Sequence, residues 1–432
     1  MHLAASEEPS DVLSDLYPAT RGEALARLEG FQQIAGSYGR DRNGVVPGHP
    51  NVSRLSAAIR SRLITEEEVL DRVLALHPFP AVEKFVQEVV WRTYWKGWLE
   101  LRPQVWTTYR DRLQFLRQQA PEPVRRRAEE VAAGRSGVAV MDRFARELLT
   151  TGYLHNHARM WWASFWIHVE RLPWEWGADF FLRHLLDADP ASNTLSWRWV
   201  AGLQTPGKVY LVRRSNLERF ADPSWLEDTT GLQRLDDSRV QAAVVEDQAD
   251  TRPRPLLDLP NTFLEGEPRT GLWVHDDDGL LEDSPLQQVR NPVLVSTFGE
   301  PDPLDAPGPV VKAWRDRARA DVIVRTQCHF ESTEWESSEM PGPVGGGLAW
   351  AARQRGCRRV VTLAPSIGPL RDIWASIEQE FERQDVELVA LRRPWDSRLW
   401  PLADRGFFPF WEKVSHAMGR RSGSGQWLDS LR

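Results

Sequence analysis

Cysteine is nearly absent from this chain: Cys328 and Cys357 are the only two in 432 residues. Two thiols cannot build a disulfide framework or a four-thiolate cluster, so iron–sulfur ligation by this chain alone is excluded and a reducing compartment fits. Long apolar runs are missing too. No stretch of about 18 uncharged apolar residues occurs, which argues against a transmembrane helix. The opening residues, MHLAASEEPSDVLSDLYP, carry Glu and Asp and no apolar core, so no secretory signal is expected and a cytoplasmic protein is. What is plentiful is tryptophan, with 21 in the chain, many of them between Trp91 and Trp199. Most indoles fill cores, yet a helical region so dense in them can also bind a planar aromatic ligand or carry electrons.

Charge is unevenly spread. The chain carries a net -7, but residues 20–220 hold 29 Lys+Arg against 22 Asp+Glu, and the remainder holds 25 against 39. A positive first half is compatible with a polyanionic partner, and the acidic second half argues against indiscriminate DNA binding. The length favours two domains. Residues 20–220 read as helical: Leu25–Phe31, Val69–Leu76, Val82–Leu99 and Met141–Thr150 repeat apolar residues at three and four, with Ser56, Thr65 and Asp142 as caps. Thr151–Arg171 is apolar on several faces and reads as a central buried helix.

Residues 223–270 are rich in Asp, Pro and Thr and read as an exposed linker. Strands are expected at Gly271–His275, Pro292–Thr297, Asp321–Arg325, Arg359–Ala364 and Val386–Leu391, alternating with helices at Val311–Ala320, Gly347–Arg355 and Leu370–Arg383. That alternation predicts a doubly wound, mostly parallel sheet of Rossmann-like α/β type. The Gly345-Gly346-Gly347 run before a helix reads as a turn more readily than as a phosphate cradle. The division is thus a flexible start at 1–20, a helical domain at 21–222, a linker at 223–270, an α/β domain at 271–415 and a flexible tail at 416–432.

The chemistry concentrates in TGYLHNHARM (151–160) and LLDADPASNTLSWRW (185–199). Asn156 and Arg159 lie three apart on one helix face, and an arginine in so apolar a segment needs a partner, for which Asp187 and Asp189 are both at hand. On spacing alone this is a structural ion pair.

These two stretches resemble the flavin-binding signature of DNA photolyases and cryptochromes. NVSRLSAAI (51–59) and FVQEVVWRTYW (85–95) resemble two further motifs of that family, in the same order. The resemblance implies an all-helical FAD-binding domain. Tyr38, Ser53, Leu55 and Ser56 would hold the FAD phosphates and ribityl chain, Arg159 and Asp187 would pair beside the flavin ring, Asp189 would sit at its polar edge, and Asn193 would face N5. Glu88, Trp91, Asn156, Met160 and Trp199 would line a cavity for a flipped pyrimidine dimer, and Trp197 and Trp174 would begin an electron relay. No metal site is expected.

The pattern departs from the family at His157, at Val52, and at the outermost relay tryptophan, for which ungapped spacing lands on Pro121; Trp106 or Trp176 could stand in. LWVHDDDGLLEDSPL (272–286) and VELVALRRPWDSRLWPLADRGFFPFWEKV (386–414) resemble the opening and close of the family's α/β domain, with His275 and Asp276 in place of paired arginines. That domain precedes the FAD domain in the family, so the chain reads as circularly permuted. The implied function is light-driven repair of cyclobutane pyrimidine dimers in damaged DNA by a monomeric enzyme, with excited reduced FAD as electron donor. The alternative is a photoreceptor that binds FAD and repairs nothing. The sequence names no antenna chromophore.

Overall fold

The computed structural model describes residues 17–205, 208–236, 238–239, 249–262, 269–289, 292–296, 306–331 and 344–419. Along the chain run helices α1 (Arg21–Gln32), α2 (Glu66–Leu76), α3 (Phe79–Glu100), α4 (Pro103–Gln119), α5 (Glu122–Ala132), α6 (Ala139–Thr151), α7 (Asn156–Ser164), α8 (Trp174–His184) and α9 (Pro190–Val200). Then come β1 (Thr270–Val274), β2 (Val293–Ser296), α10 (Pro309–Phe330), α11 (Val344–Gln354), β3 (Arg359–Leu363), α12 (Trp374–Arg383), β4 (Glu387–Leu391) and α13 (Phe407–Gly419). The protein is mostly helical with one small parallel sheet, of order β2-β1-β3-β4.

Two compact units result, and they cut across the linear division. A helical unit comprises Met1–Ala57, Thr107–Ala249 and Pro307–Trp314, and a sheet unit comprises Ala58–Trp106, Asp250–Ala306 and Arg315–Arg432. Residues 58–106, expected in the helical domain, therefore cluster with the sheet. The reason is packing: within the sheet unit, the Tyr94 hydroxyl of α3 donates to Arg405 O at 2.9 Å and Trp395 Nε1 donates to Thr93 Oγ1 at 3.1 Å.

Other expectations are corrected locally. Asp321–Arg325 is not a strand but part of α10. Its β-branched run suggested a strand, but Asp321 and Arg325 pair at 2.9 Å across one helical turn and Thr326 Oγ1 donates to Val322 O. Thr151–Arg171 is not one helix. Gly152 ends α6 in the left-handed region (φ 70), and a Cβ there would meet Leu186 Cγ at 2.7 Å, so glycine alone fits. After α7 the chain loosens into a π-helical turn over Phe165–Val169.

The glycine run at 345–347 lies inside α11 rather than in a turn ahead of it, and Leu370–Arg383 breaks at Ile373 into a short helix and α12. Thr65 caps α2 as expected, accepting from Glu68 N, whereas Asp142 accepts from Ser136 N and Gly137 N and so braces the turn before α6. Within the stretch read as linker, Trp225, Leu232 and Leu235 are buried, and Arg254 N is held by Leu101 O at 2.7 Å. Tyr17, expected in a flexible start, is buried and stacks on Tyr153 at 4.9 Å. The tail from Arg420 lies outside the described residues.

The sheet unit's core packs Trp273 of β1 on Trp374 of α12 at 5.4 Å, with Leu348, Val360, Ile377 and Phe381 around them. No helix among the described residues is long and apolar enough to cross a membrane.

Candidate functional site

In the helical unit, Gly152 lets the chain turn sharply into α7, so Arg159 emerges where Leu154 O accepts from its Nε at 2.8 Å. Its Nη1 then meets Asp187 Oδ1 at 3.0 Å. Of the two acids at hand, Asp187 makes the pair. Asp189 caps α9, its Oδ1 accepting from Ser192 N at 2.8 Å. One turn into α9, Asn193 is buried and donates Nδ2 to Ala178 O at 2.8 Å. That bond fixes the amide, because only an NH₂ can face a carbonyl, and it leaves the oxygen as the group to accept from a ligand.

Trp197, one turn further, is buried against Gly177 of α8, where a Cβ would lie 2.2 Å from its ring. Trp162 and Phe181 close around it at 6.3 and 5.1 Å. Trp174, also of α8, meets Tyr109 at 5.5 Å, a contact that sequence reasoning missed. Of the two stand-ins named for the outer relay, Trp176 is half-buried, and Trp106 lies in the sheet unit with Nε1 on Asp372 at 2.8 Å.

Asn156 is exposed and Met160 half-buried, one turn apart on α7; Trp199 is half-buried beside Tyr210 at 5.6 Å. His155 and His157 take different partners. His155 Nδ1 accepts from His157 N, while His157 Nδ1 reaches Asn43 O at 3.0 Å. Burial, reinforced by His49, His157 and Arg159, lowers the pKa of His155 from 6.5 to about 3. The unfolded chain therefore binds the extra proton below pH 6.5. The contribution of this group is full above that pH and is lost as pH falls toward 3, at about 1.4 kcal/mol per unit. His184, lowered to about 4 by burial and then by Arg183, acts in the same direction. Urea midpoints are expected to fall between pH 6.5 and 4.5, and less steeply in His155→Asn; equal slopes in the two proteins would refute this.

Tyr38 is half-buried against Phe31 at 6.1 Å, Leu55 is fully buried, and Ser53 and Ser56 stay half-buried. Two neighbours escaped the sequence reading. Arg27 Nε donates to Ser53 O at 2.9 Å, and burial, then Arg54, lowers its pKa to about 10. Arg54 adopts φ 55, has a buried Nε without a hydrogen-bond partner, and is itself lowered by burial. Two half-buried guanidiniums beside Ser53, with no carboxylate paired to either among the described residues, fit an anion such as the FAD diphosphate. Only the fold shows this, since Arg27 and Ser53 are 26 residues apart.

In the sheet unit, Glu88 and Trp91 lie three apart on α3, both half-buried. Trp91 is stacked on Phe407 of α13 at 3.6 Å with 15° between the planes. One face of Trp91 is thus covered by the chain's own phenylalanine.

Residues 85–223 match the family of the FAD binding domain of DNA photolyase. This segment is photolyase-like. The cofactor of that family is FAD. The chain is 29% identical over 204 residues to the deoxyribodipyrimidine photo-lyase of Escherichia coli, covering 45% of this chain and 42% of that protein. It is 34% identical over 154 residues to that of Streptomyces griseus, covering 35% and 32%. It is 44% identical over 69 residues to cryptochrome-1 of Arabidopsis thaliana, covering 16% and 10%. The chain thus spans less than half the length of these photolyase-like and cryptochrome relatives.

Proposed function

We propose that this chain is an FAD-dependent, light-driven photolyase acting on cyclobutane pyrimidine dimers in DNA. The observation that carries the reading is the Arg159–Asp187 pair at 3.0 Å, inside the photolyase-like segment and followed by the oriented amide of Asn193. Bound FAD supplies light absorption and the electron. Tyr38, Ser53, Leu55 and Ser56, joined by Arg27 and Arg54, hold its phosphates and ribityl chain. Arg159 and Asp187 would set the charge beside the ring, Asp189 braces the loop that carries Asp187, and the Asn193 oxygen would accept a hydrogen bond from an N–H of the ring. Trp197 and Trp174 conduct electrons to the site.

In the sheet unit, Glu88 bonds a base edge and the Trp91 ring excludes water; in the helical unit, Asn156, Met160 and Trp199 are the residues that contact the substrate. The sheet unit is the family's α/β domain, doubly wound with its strand order reversing between β1 and β3. Its strands, from Thr270 onward, follow the FAD-binding segment 85–223 in this chain, as circular permutation requires. The protein works as a cytoplasmic monomer.

A second reading, an FAD-binding photoreceptor without repair, is favoured by the Phe407 cover on Trp91. An anaerobic assay separates the two. The reduced, FAD-loaded chain is mixed with a thymine-dimer oligonucleotide, and dimer loss under blue light is followed against a dark control. Repair is expected, falling about tenfold or more in Glu88→Ala through the lost charged hydrogen bond. A yellow protein that leaves the dimer intact transfers the assignment to the photoreceptor, and a chain that never binds FAD overturns both.

A further inference from the structure

Trp91 already has a stacking partner, and its geometry is unusual for side-chain packing. Aromatic side chains generally pack offset or edge-on with centroids about 4.5–7 Å apart. The other stacked pairs of the sheet unit obey this: Trp273–Trp374 at 5.4 Å, Phe79–Trp411 at 6.2 Å and Phe407–Trp411 at 6.2 Å. Phe407 on Trp91, at 3.6 Å and 15°, is instead spaced like a base lying on an aromatic platform.

The sequence of α13 builds this placement. Phe407, Phe410, Trp411 and Val414 recur at helical spacing and are buried, while Phe408 is 70% exposed. The row Phe79, Trp411, Phe407, Trp91 sets α3 and α13 antiparallel, and the Tyr94 bond to Arg405 O pins the entry of α13.

The geometry points to Phe407 as a specificity-determining residue: it occupies the stacking face of Trp91, so a flipped nucleobase reaches that face only by displacing it. This rests on the reading of Trp91 as a base-stacking wall. Phe407 thereby acts as a gate: it lowers the affinity for a strand whose dimer must flip onto Trp91 and leaves that for an undamaged strand, which flips no base, unchanged. A helix seam with no such role would give a different result on removal of the ring, namely lost stability and no gain in binding.

The test is dark binding of a duplex carrying one thymine dimer, and of its undamaged twin, to the full FAD-loaded chain at fixed salt. Phe407→Ala is expected to bind the dimer duplex about tenfold tighter than the parent, with affinity for the undamaged duplex unchanged. Phe407→Leu, which keeps most of the buried volume, is expected to shift the same way if Phe407→Ala does not fold. The gain is expected to vanish in Trp91→Ala/Phe407→Ala and to be absent from Phe408→Ala. Light-driven repair by the parent is measured in parallel. Repair by the parent with no gain in either Phe407 variant overturns the gate and leaves the photolyase reading standing. A Trp91-dependent gain in a parent that repairs nothing supports the gate and overturns repair. No discrimination by any variant overturns the gate, and the parent's repair result then judges the photolyase reading on its own.

Discussion

Arg62→Ala is expected to destabilise the sheet unit by about 3–5 kcal/mol, the range for breaking a buried charge network from one side. Arg62 is buried, with Nη1 on Asp278 at 3.0 Å, Nη2 on Asp396 at 2.7 Å and Nε 3.9 Å from Glu66. Arg393 grips the other side of Asp278 at 2.7 Å. Burial alone would raise the Asp278 pKa, but Arg393 and then Arg62 overcome it and hold the group at about 2. Its folded pKa lies below its ordinary value of 3.8, so its contribution is present above that pH and lost as pH falls toward 2. Removing Arg62 leaves Asp278, Asp396 and Glu66 buried with one arginine among them. Urea unfolding across pH is the check, with the acid limb expected to move upward in the variant. Arg62→Met/Asp396→Leu is expected to cost less than the sum of its single changes, because it removes a charge of each sign together. Additive costs would show that the network is not coupled.

Gly177→Ala is expected to cost the helical unit about 3 kcal/mol and most of its bound flavin. The new Cβ would lie 2.2 Å from Trp197 Cη2 and 2.4 Å from Cζ3, and the indole is buried on its other sides by Trp162 and Phe181. Overpacking of this kind costs about 1–3 kcal/mol, occasionally more. The adjacent residue, Ala178, supplies the carbonyl that orients Asn193, so separating α8 from α9 also frees the amide. Thermal melts and flavin absorbance of the purified protein are the readouts. Gly177→Ala/Trp197→Leu is expected to recover stability without recovering fast photoreduction, which separates the steric cost from the relay role proposed for Trp197. A Gly177→Ala protein as stable and as yellow as the parent would refute the packing argument.

Local pattern carried the helices well. Thr65 followed by Glu68, and the apolar spacing of Val69, Leu70 and Val73, place α2 because helix periodicity and capping are short-range. It failed at Asp321–Arg325, where a β-branched run in the middle of a long helix mimics a strand until the Asp321–Arg325 pair is seen. The ion pair of Arg159 was legible because an arginine amid apolar residues demands a carboxylate. Spacing alone left Asp187 and Asp189 open, two residues apart; the family resemblance named Asp187, and the path of the turn, which commits Asp189 to Ser192 N, makes that pair.

The sequence by itself determined that the chain carries a photolyase-like flavin segment and a parallel sheet, because motif order and the periodicity of apolar residues are written along the chain. The tertiary structure alone decided that Arg27 and Arg54 flank Ser53, that residues 58–106 cluster with the sheet, and that Phe407 covers Trp91. Trp91 and Phe407 stand more than three hundred residues apart. Contacts of that separation are set by how whole faces pack, and no local propensity records them.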